Sequence, residues 1–134
     1  MAKIKPNERE FLEENPYVGV ATTLREDGSP HSTIVWVDVD NGTLSFNTAL
    51  GRAKTRHLER DPRVSILMVD PQDSYRWVAV SGHAELTEEG ADAQIDKLAK
   101  KYMDADTYPW RKATETRVKV LIDPEHVSSY GFDD

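Results

Sequence analysis

The chain has 134 residues, the usual size of one domain, and it contains no cysteine, which excludes disulfides, thiolate metal ligands and cysteine nucleophiles. Its net charge of −7 argues against general nucleic-acid binding, and no apolar run approaches the ~20 residues of a membrane span. The polar N-terminus lacks the apolar core of a signal peptide, so we expect a single cytoplasmic domain over residues 1–134 that binds neither nucleic acid nor membrane.

The first part of the chain predicts one helix followed by three strands. The helix, over residues 7–15, ends at Asn15-Pro16, because the residue before a proline disfavours helical geometry. The strands, over 17–24, 31–39 and 43–47, are rich in β-branched and apolar residues. Turn residues separate them at Gly28 and at Asp40-Asn41-Gly42, and the short spacing predicts an antiparallel meander.

The second part predicts two more helices and at least three more strands. A helix over 52–59 stops before Pro62, and strands follow over 63–69 and 75–86, the latter bending at Gly82. Thr87 is the expected N-cap of the next helix. That helix has a predicted buried stripe formed by Ile95, Leu98, Ala99, Tyr102 and Met103. A strand over 117–122, continued over 126–130, completes the pattern.

Six or more short antiparallel strands with flanking helices are typical of a mainly β (α+β) domain. Closing such a sheet into a barrel removes its exposed edges. We therefore expect a barrel rather than an open sheet.

Basic residues are concentrated in one segment of this acidic chain. Residues 51–63 carry a balance of +3, which leaves −10 for the rest. The strand before this segment ends in Asn47 and Thr48, and the helix after the glycine turn opens with Arg52, Lys54 and Thr55. Helix N-termini and charge-assisted hydrogen bonds favour phosphate, although a solvated helix face would show the same charges. Neither the glycine pattern of a P-loop nor that of a dinucleotide-binding turn is present.

Four motifs in order give the sequence a family resemblance. They are Gly-Ser-Pro-His-Ser-Thr-Ile-Val-Trp (28–36), Leu-Ser-Phe-Asn-Thr-Ala-Leu-Gly-Arg-Ala-Lys-Thr-Arg-His-Leu (44–58), Asp-Pro-Arg-Val-Ser-Ile (61–66) and Trp-Val-Ala-Val-Ser-Gly-His-Ala-Glu-Leu (77–86). Together they resemble the pyridoxamine 5'-phosphate oxidase-like split β-barrel superfamily over residues 8–130. The resemblance implies an FMN-binding-like split barrel that forms a homodimer, with two cofactors at the subunit interface and a small-molecule substrate.

Within that superfamily, two positions and one motif bear on which cofactor is bound. Thr33 stands where flavin-using relatives have an arginine that binds the flavin phosphate, and Trp77 stands where they commonly have a glutamine. The Arg-Ala-Lys-Thr-Arg motif, residues 52–56, is more similar to the branch that uses the deazaflavin coenzyme F420. The resemblance therefore favours F420, with FMN as the alternative.

The resemblance also implies which residues bind the cofactor. Those expected at its phosphate or ribityl chain are Asn47, Thr48, Arg52, Lys54 and Thr55. Those expected beside the ring system are Ser32, Thr33, Ile34 and Val35. Trp77 either covers the cofactor, reaches across the dimer, or is an ordinary barrel or interface residue. No catalytic acid or base is identifiable, and the four histidines lack the spacing of metal ligands.

Three functions remain open on the sequence. The first is an F420-dependent reductase that transfers a hydride to a small conjugated or heteroaromatic substrate. The second is an FMN-dependent oxidoreductase of the pyridoxamine-phosphate-oxidase type. The third is a non-catalytic module that binds a cofactor or haem, because one fold supports many functions.

Overall fold

The computed structural model describes residues 3–132, which form three helices and seven strands. In chain order these are α1 (Pro6–Glu14), β1 (Gly19–Leu24), β2 (Pro30–Val35), β3 (Val37–Asp40), β4 (Thr43–Ala49), α2 (Ala53–Arg60), β5 (Arg63–Asp70), β6 (Asp73–Thr87), α3 (Ala91–Met103) and β7 (Arg117–Tyr130). No helix within the described range is both long and apolar enough to cross a membrane.

The strands form one antiparallel sheet whose two ends meet. The strand order is β2-β1-β5-β6-β7-β4-β3, so β2 and β3 occupy opposite ends of the sheet. Only Trp36 separates them along the chain, and consecutive Cα atoms are ~3.8 Å apart, so the two ends of the sheet must lie side by side there. The sheet is therefore curled into a split barrel, which confirms the expected fold class.

The predicted meander is correct in its pairings but not in its middle strand. Residues predicted as one strand, 31–39, form two strands that have different partners. The first half pairs with β1, for example Ile34 with Val20, and the second half pairs with β4, for example Val37 with Phe46. This change of partner at Trp36 opens the split in the barrel.

Alternating residues of the strands fill the barrel interior. Phe46, Met68 and Val78 are completely buried, and they pack with side chains from the other strands and from α1. Each large apolar side chain buried in this way contributes about 1.5–3 kcal/mol relative to full exposure. Gly82, where the sequence predicts a bend, sits where the pairing of β6 with β7 shifts in register.

The structure corrects the prediction for α3 at both ends. Thr87 remains in β6 opposite Lys119, and the helix begins after Gly90, which is its N-cap. The Thr87 hydroxyl instead accepts a hydrogen bond from the backbone of Glu89, which forms a turn before the helix. At the other end Met103 is exposed, because the helix stops at the next residue in a left-handed conformation.

Candidate cofactor site

A pocket of about 170 Å³ opens at the split in the barrel. The point where β2 gives way to β3 forms one side, and the end of β4 with the start of α2 forms the other. The lining residues are Ile34, Val35, Trp36, Asn47, Arg52, Lys54, Ile95, Leu98, Tyr108, Trp110 and Arg117. The pocket is thus built from six separate parts of the chain.

Three cations line this pocket. Arg52 is the N-cap of α2, Lys54 lies in the first turn of that helix, and Arg117 is the first residue of β7. Arg117 is 5% exposed, and its guanidinium lies 5.3 Å from the centre of the Tyr108 ring. Bringing three positive charges together in a partly buried space costs free energy unless an anion is present.

Glu115 balances part of this charge. Its carboxylate accepts hydrogen bonds from Arg117 at 2.7 Å and from Arg52 at 2.9 Å. Burial opposes ionisation of Glu115, but the hydrogen bonds from the two arginines outweigh burial and lower its pKa. The Glu115 carboxylate therefore pairs with two guanidinium groups, and it does not pair with the third cation.

Lys54 is that third cation. Within residues 3–132 no carboxylate pairs with it and no hydrogen bond to its ammonium is made. Burial lowers the pKa of Lys54, and the nearby charges of Arg52 and Arg117 lower it further. An anion bound here would remove the repulsion and satisfy the unpartnered donor, so the arrangement favours a phosphate or a carboxylate.

Aromatic side chains form another wall of the pocket. Trp36 stacks on Tyr102 at 5.3 Å, and Tyr108 contacts Trp36 and Trp110 edge-on. The Tyr102 hydroxyl donates to the carbonyl of Tyr17 and accepts from the amide of Val37, and burial raises its pKa to about 12. Tyr102 therefore stays protonated and supports the wall. Trp110 is 56% exposed, so part of its ring is accessible to a ligand.

The structure brings half of the predicted site residues to this pocket. These are Ile34, Val35, Asn47, Arg52 and Lys54. They come from three elements, so their meeting at one place depends on the split in the barrel. Asn47, however, uses its side-chain amide within the protein, donating to Gln94 and Ala91 and accepting from Arg117.

The other predicted site residues lie outside the pocket lining. Ser32 is exposed and bonds to Thr22, Thr55 is buried and donates to the carbonyl of Ala49, and Trp77 pairs with Tyr130 on β7. Trp77 lies three strands from Ile34, roughly 14 Å at ~4.8 Å per strand. Their proposed contacts with a cofactor stay predictions.

Thr33 and Thr48 have a distinctive environment. Among the described residues, three buried side-chain atoms lack a hydrogen-bond partner, namely the two hydroxyl oxygens of these threonines and Nδ1 of His31. Thr48 shares the strand phase of the core residue Phe46, whereas Asn47 faces α3. Strand alternation therefore separates the neighbours Asn47 and Thr48, which the sequence had placed at one site.

Apart from Trp36, the residues that sequence reasoning missed come from the last third of the chain. Arg117, Glu115, Tyr108 and Trp110 reach the pocket because β7 pairs with β4, which places residues 115–117 beside 49–50. One signal was available in the sequence: Arg117 begins an apolar strand, and Glu115 precedes it by two residues. Nothing local in the sequence links that pair to Lys54.

A larger groove, of about 480 Å³, lies elsewhere on the molecule. It is bordered by Lys3 and Arg9 on one side and by Glu85 and Asp123 on the other. None of the predicted site residues lines it, and its charges are balanced rather than of one sign. The smaller pocket is therefore the stronger candidate for an anionic cofactor. In the described part of the chain, no group of three potential metal-ligating side chains forms.

The pocket fits the anionic end of a flavin-type cofactor but not a whole one. Its cations suit a phosphate, whereas the unpartnered hydroxyls of Thr33 and Thr48 lie outside its lining. Pockets for small molecules usually span ~300–1,000 Å³, so 170 Å³ holds part of such a ligand. The ring system would lie beyond it, towards Ile34, which is 61% exposed.

Comparisons with known proteins identify the family of the chain. A family model described as pyridoxamine 5'-phosphate oxidase matches residues 4–130. The pyridoxine/pyridoxamine 5'-phosphate oxidase of Citrobacter koseri is 37% identical in an alignment 76 residues long, which covers 53% of this chain and 33% of that protein. The aligned part thus spans a third of that relative's length.

Two solved structures are similar over most of their length. An F420 reductase is 29% identical with a TM-score of 0.76, over 89% of this chain and 94% of the other. A conserved hypothetical protein from Mycobacterium tuberculosis is 26% identical with a TM-score of 0.75, over 97% of this chain and 88% of the other. With the family model covering nearly the whole sequence, the chain belongs to the pyridoxamine 5'-phosphate oxidase family of split-barrel oxidoreductases.

Proposed function

We propose that this protein is an oxidoreductase that uses reduced coenzyme F420 to transfer a hydride to a small conjugated or heteroaromatic substrate. The observation that carries the proposal is Lys54, a half-buried cation without an acidic partner in residues 3–132, set between Arg52 and Arg117. A phosphate fits this site because it supplies the missing negative charge and accepts several hydrogen bonds at once.

The choice of F420 over FMN rests on the similar F420 reductase and on particular residues. That structure is matched over nearly its full length. The uncharged Thr33 stands where the resemblance to flavin-using relatives calls for an arginine. FMN remains the second candidate, and the match to the oxidase of Citrobacter koseri favours it.

In the mechanism, the protein binds and orients the reactants. Reduced deazaflavin supplies the hydride when it is bound. Arg52, Lys54 and Arg117 would hold its phosphate end, and flat rings would lie between the aromatic wall and the exposed edge of β2, beside Ile34. Hydride transfer to one carbon of a polarised double bond requires a proton at the other end. No side chain is assigned to that step, so we propose that the proton comes from solvent.

We further propose that the working form is a homodimer with the cofactor at its interface. Across five adjacent strands, thirteen residues form an uncharged outward face, on a chain in which 31% of residues are charged, and Arg63, in the same alternation as Ser65, borders this face at the start of β5. Its residues are Val20, Thr22, Ser32, Ile34, Ser65, Leu67, Val69, Trp77, Ala79, Ser81, His126, Ser128 and Tyr130. Uncharged faces with exposed aromatic and aliphatic groups mark protein interfaces, and this one reaches the pocket at Ile34.

The test is a parallel titration of the purified protein with F420 and with FMN, followed by quenching of tryptophan fluorescence. Trp36 and Trp110 line the pocket, so ligand binding there should quench their emission. We expect F420 to bind at least tenfold more tightly than FMN. Tighter binding of FMN would replace the deazaflavin proposal with the flavin oxidoreductase.

Turnover separates an enzyme from a binding module. With F420 bound and reduced, a panel of conjugated carbonyl and heteroaromatic compounds should reoxidise it, and the absorbance of the oxidised cofactor should return. Tight binding without reoxidation by any compound would favour a non-catalytic cofactor-binding role. Binding of neither cofactor would refute the proposed function while leaving the fold unaffected.

A further inference from the structure

We propose that Gln94, on α3, is a positioning residue that holds Arg117 in the anion pocket through the side chain of Asn47. The inference rests on the anion-binding part of the proposed function. It gives α3, which already lines the pocket through Ile95 and Leu98, a second role in the site. It also assigns Asn47 to Arg117 instead of to a phosphate.

The side chain of Asn47 is fully used inside the protein. Its nitrogen donates to Oε1 of Gln94 at 3.0 Å and to the carbonyl of Ala91 at 2.8 Å. Its oxygen accepts from Nε of Arg117 at 2.8 Å. Rotating this amide by half a turn would place its NH₂ group against the Arg117 donor, so the contacts with α3 fix which end faces Arg117.

The orientation of Gln94 is fixed in the same way. Its nitrogen donates to the carboxylate of Asp38 at 3.1 Å and to the hydroxyl of Ser45 at 2.8 Å, which leaves its oxygen towards Asn47. In the reversed orientation, the Gln94 oxygen would face the Asp38 carboxylate and its nitrogen would face the Asn47 nitrogen. Both contacts would be repulsive, and Gln94, Asp38 and Ser45 are at most 3% exposed, so water cannot relieve them.

Arg117 is the end of this chain of hydrogen bonds. Nε is held by Asn47 and Nη1 by Glu115, and Nη2 makes no hydrogen bond with any described residue. Because two of its three nitrogens are fixed, the planar guanidinium has one orientation, with the remaining donor available to the pocket that it lines. A preorganised donor of this kind binds an anion without first losing rotamer entropy.

The test compares Gln94→Met with Ser45→Ala in the cofactor-free protein. Gln94→Met keeps the length of the side chain but removes the oxygen and the nitrogen of its amide group. Ser45→Ala removes one acceptor of the Gln94 amide and leaves the Gln94–Asn47 hydrogen bond in place. For each variant, NMR of the lysine Cε–Nζ group gives the pKa of Lys54, and a titration with inorganic phosphate gives its affinity. Circular dichroism verifies that each variant is folded.

We expect the pKa of Lys54 to rise in Gln94→Met and phosphate affinity to fall about tenfold, because Asn47 then keeps only its bond to the carbonyl of Ala91 and holds Arg117 less firmly beside Lys54. Ser45→Ala should change neither. An unchanged Lys54 pKa in folded Gln94→Met would overturn the inference. A purely structural role for Gln94 would lower the melting temperature without moving this pKa.

A second variant covers the case in which Gln94→Met does not fold. Asn47→Leu removes the bond to Arg117 itself and should raise the Lys54 pKa at least as much; an unchanged pKa would overturn the inference as well. Where both variants fold, the double variant should show no further rise, because the two residues act in series. Failure of wild-type protein to bind phosphate would instead refute the anion site of the proposed function, so the two failures are distinguishable.

Discussion

Replacing Lys54 with methionine should weaken cofactor binding without lowering the stability of the cofactor-free protein. A hydrogen bond to a charged group contributes about 1.5–3 kcal/mol. At 1.36 kcal/mol per tenfold, losing the bond from Lys54 to a phosphate lowers affinity about 13- to 160-fold. Isothermal titration with F420 measures this directly, and the dependence of binding on salt should decrease because one cation has been removed.

The stability of the free Lys54→Met protein has the opposite expected sign. Burial, together with Arg52 and Arg117, lowers the pKa of Lys54 in the folded state. The charged amine therefore destabilises the fold below that lowered pKa, and the cost disappears as pH rises towards the ordinary value of 10.5. At neutral pH the variant should unfold at an equal or higher urea concentration than wild type.

A control and a refuting result complete this prediction. Lys100→Met removes an exposed lysine that pairs with Asp104 on the surface of α3, and it should leave cofactor affinity unchanged. If Lys54→Met bound F420 as tightly as wild type, Lys54 would not contact the phosphate. If it also unfolded much more easily, the ammonium would have a structural partner in the folded protein.

Three further predictions concern the dimer, the pH dependence and the barrel. Leu67→Glu places a charge at the centre of the uncharged face, so light scattering should detect monomers with an unchanged circular dichroism spectrum; persistent dimers would exclude this face as the interface. Burial lowers the pKa of Lys101 to about 8. The free energy of unfolding of the wild type, relative to that of Lys101→Met, should therefore increase as pH rises from about 8 towards 10.5. Urea denaturation that shows the opposite trend would contradict this effect of burial. In Gly82→Ala, the new Cβ would lie 1.9 Å from the carbonyl oxygen of Asp123, which should lower the free energy of unfolding by about 3 kcal/mol or more. In Gly28→Ala the new Cβ has open space, and the loss should be about 1 kcal/mol. Equal melting temperatures of the two variants would refute the close contact.

Much of the fold was predictable because its signals are local. Turn residues such as Asn41-Gly42, both at positive φ, separate the strands, and Pro62 ends α2 where expected. The break at Trp36 was not predictable, because the residues on both sides favour a strand and only the choice of partner changes. That choice depends on contacts between residues that are distant along the chain.

The site was predictable in its basic half only. Arg52 and Lys54 follow a strand and a glycine turn, so their sequence context indicates an anion site. Arg117 and Glu115 reach the same pocket through pairing of β7 with β4, more than 60 residues away from Arg52. The hydrogen bond that Asn47 donates to Gln94 also depends on how α3 packs over β4, and no local sequence pattern encodes that packing.

The most direct test of the central claim is a crystal structure of the protein with F420 bound. We expect a phosphate oxygen within hydrogen-bond distance of the Lys54 ammonium and of the Arg117 guanidinium, with the ring system beside Ile34. Cofactor bound in the larger groove between Arg9 and Asp123, or with its phosphate away from Lys54, would contradict the account.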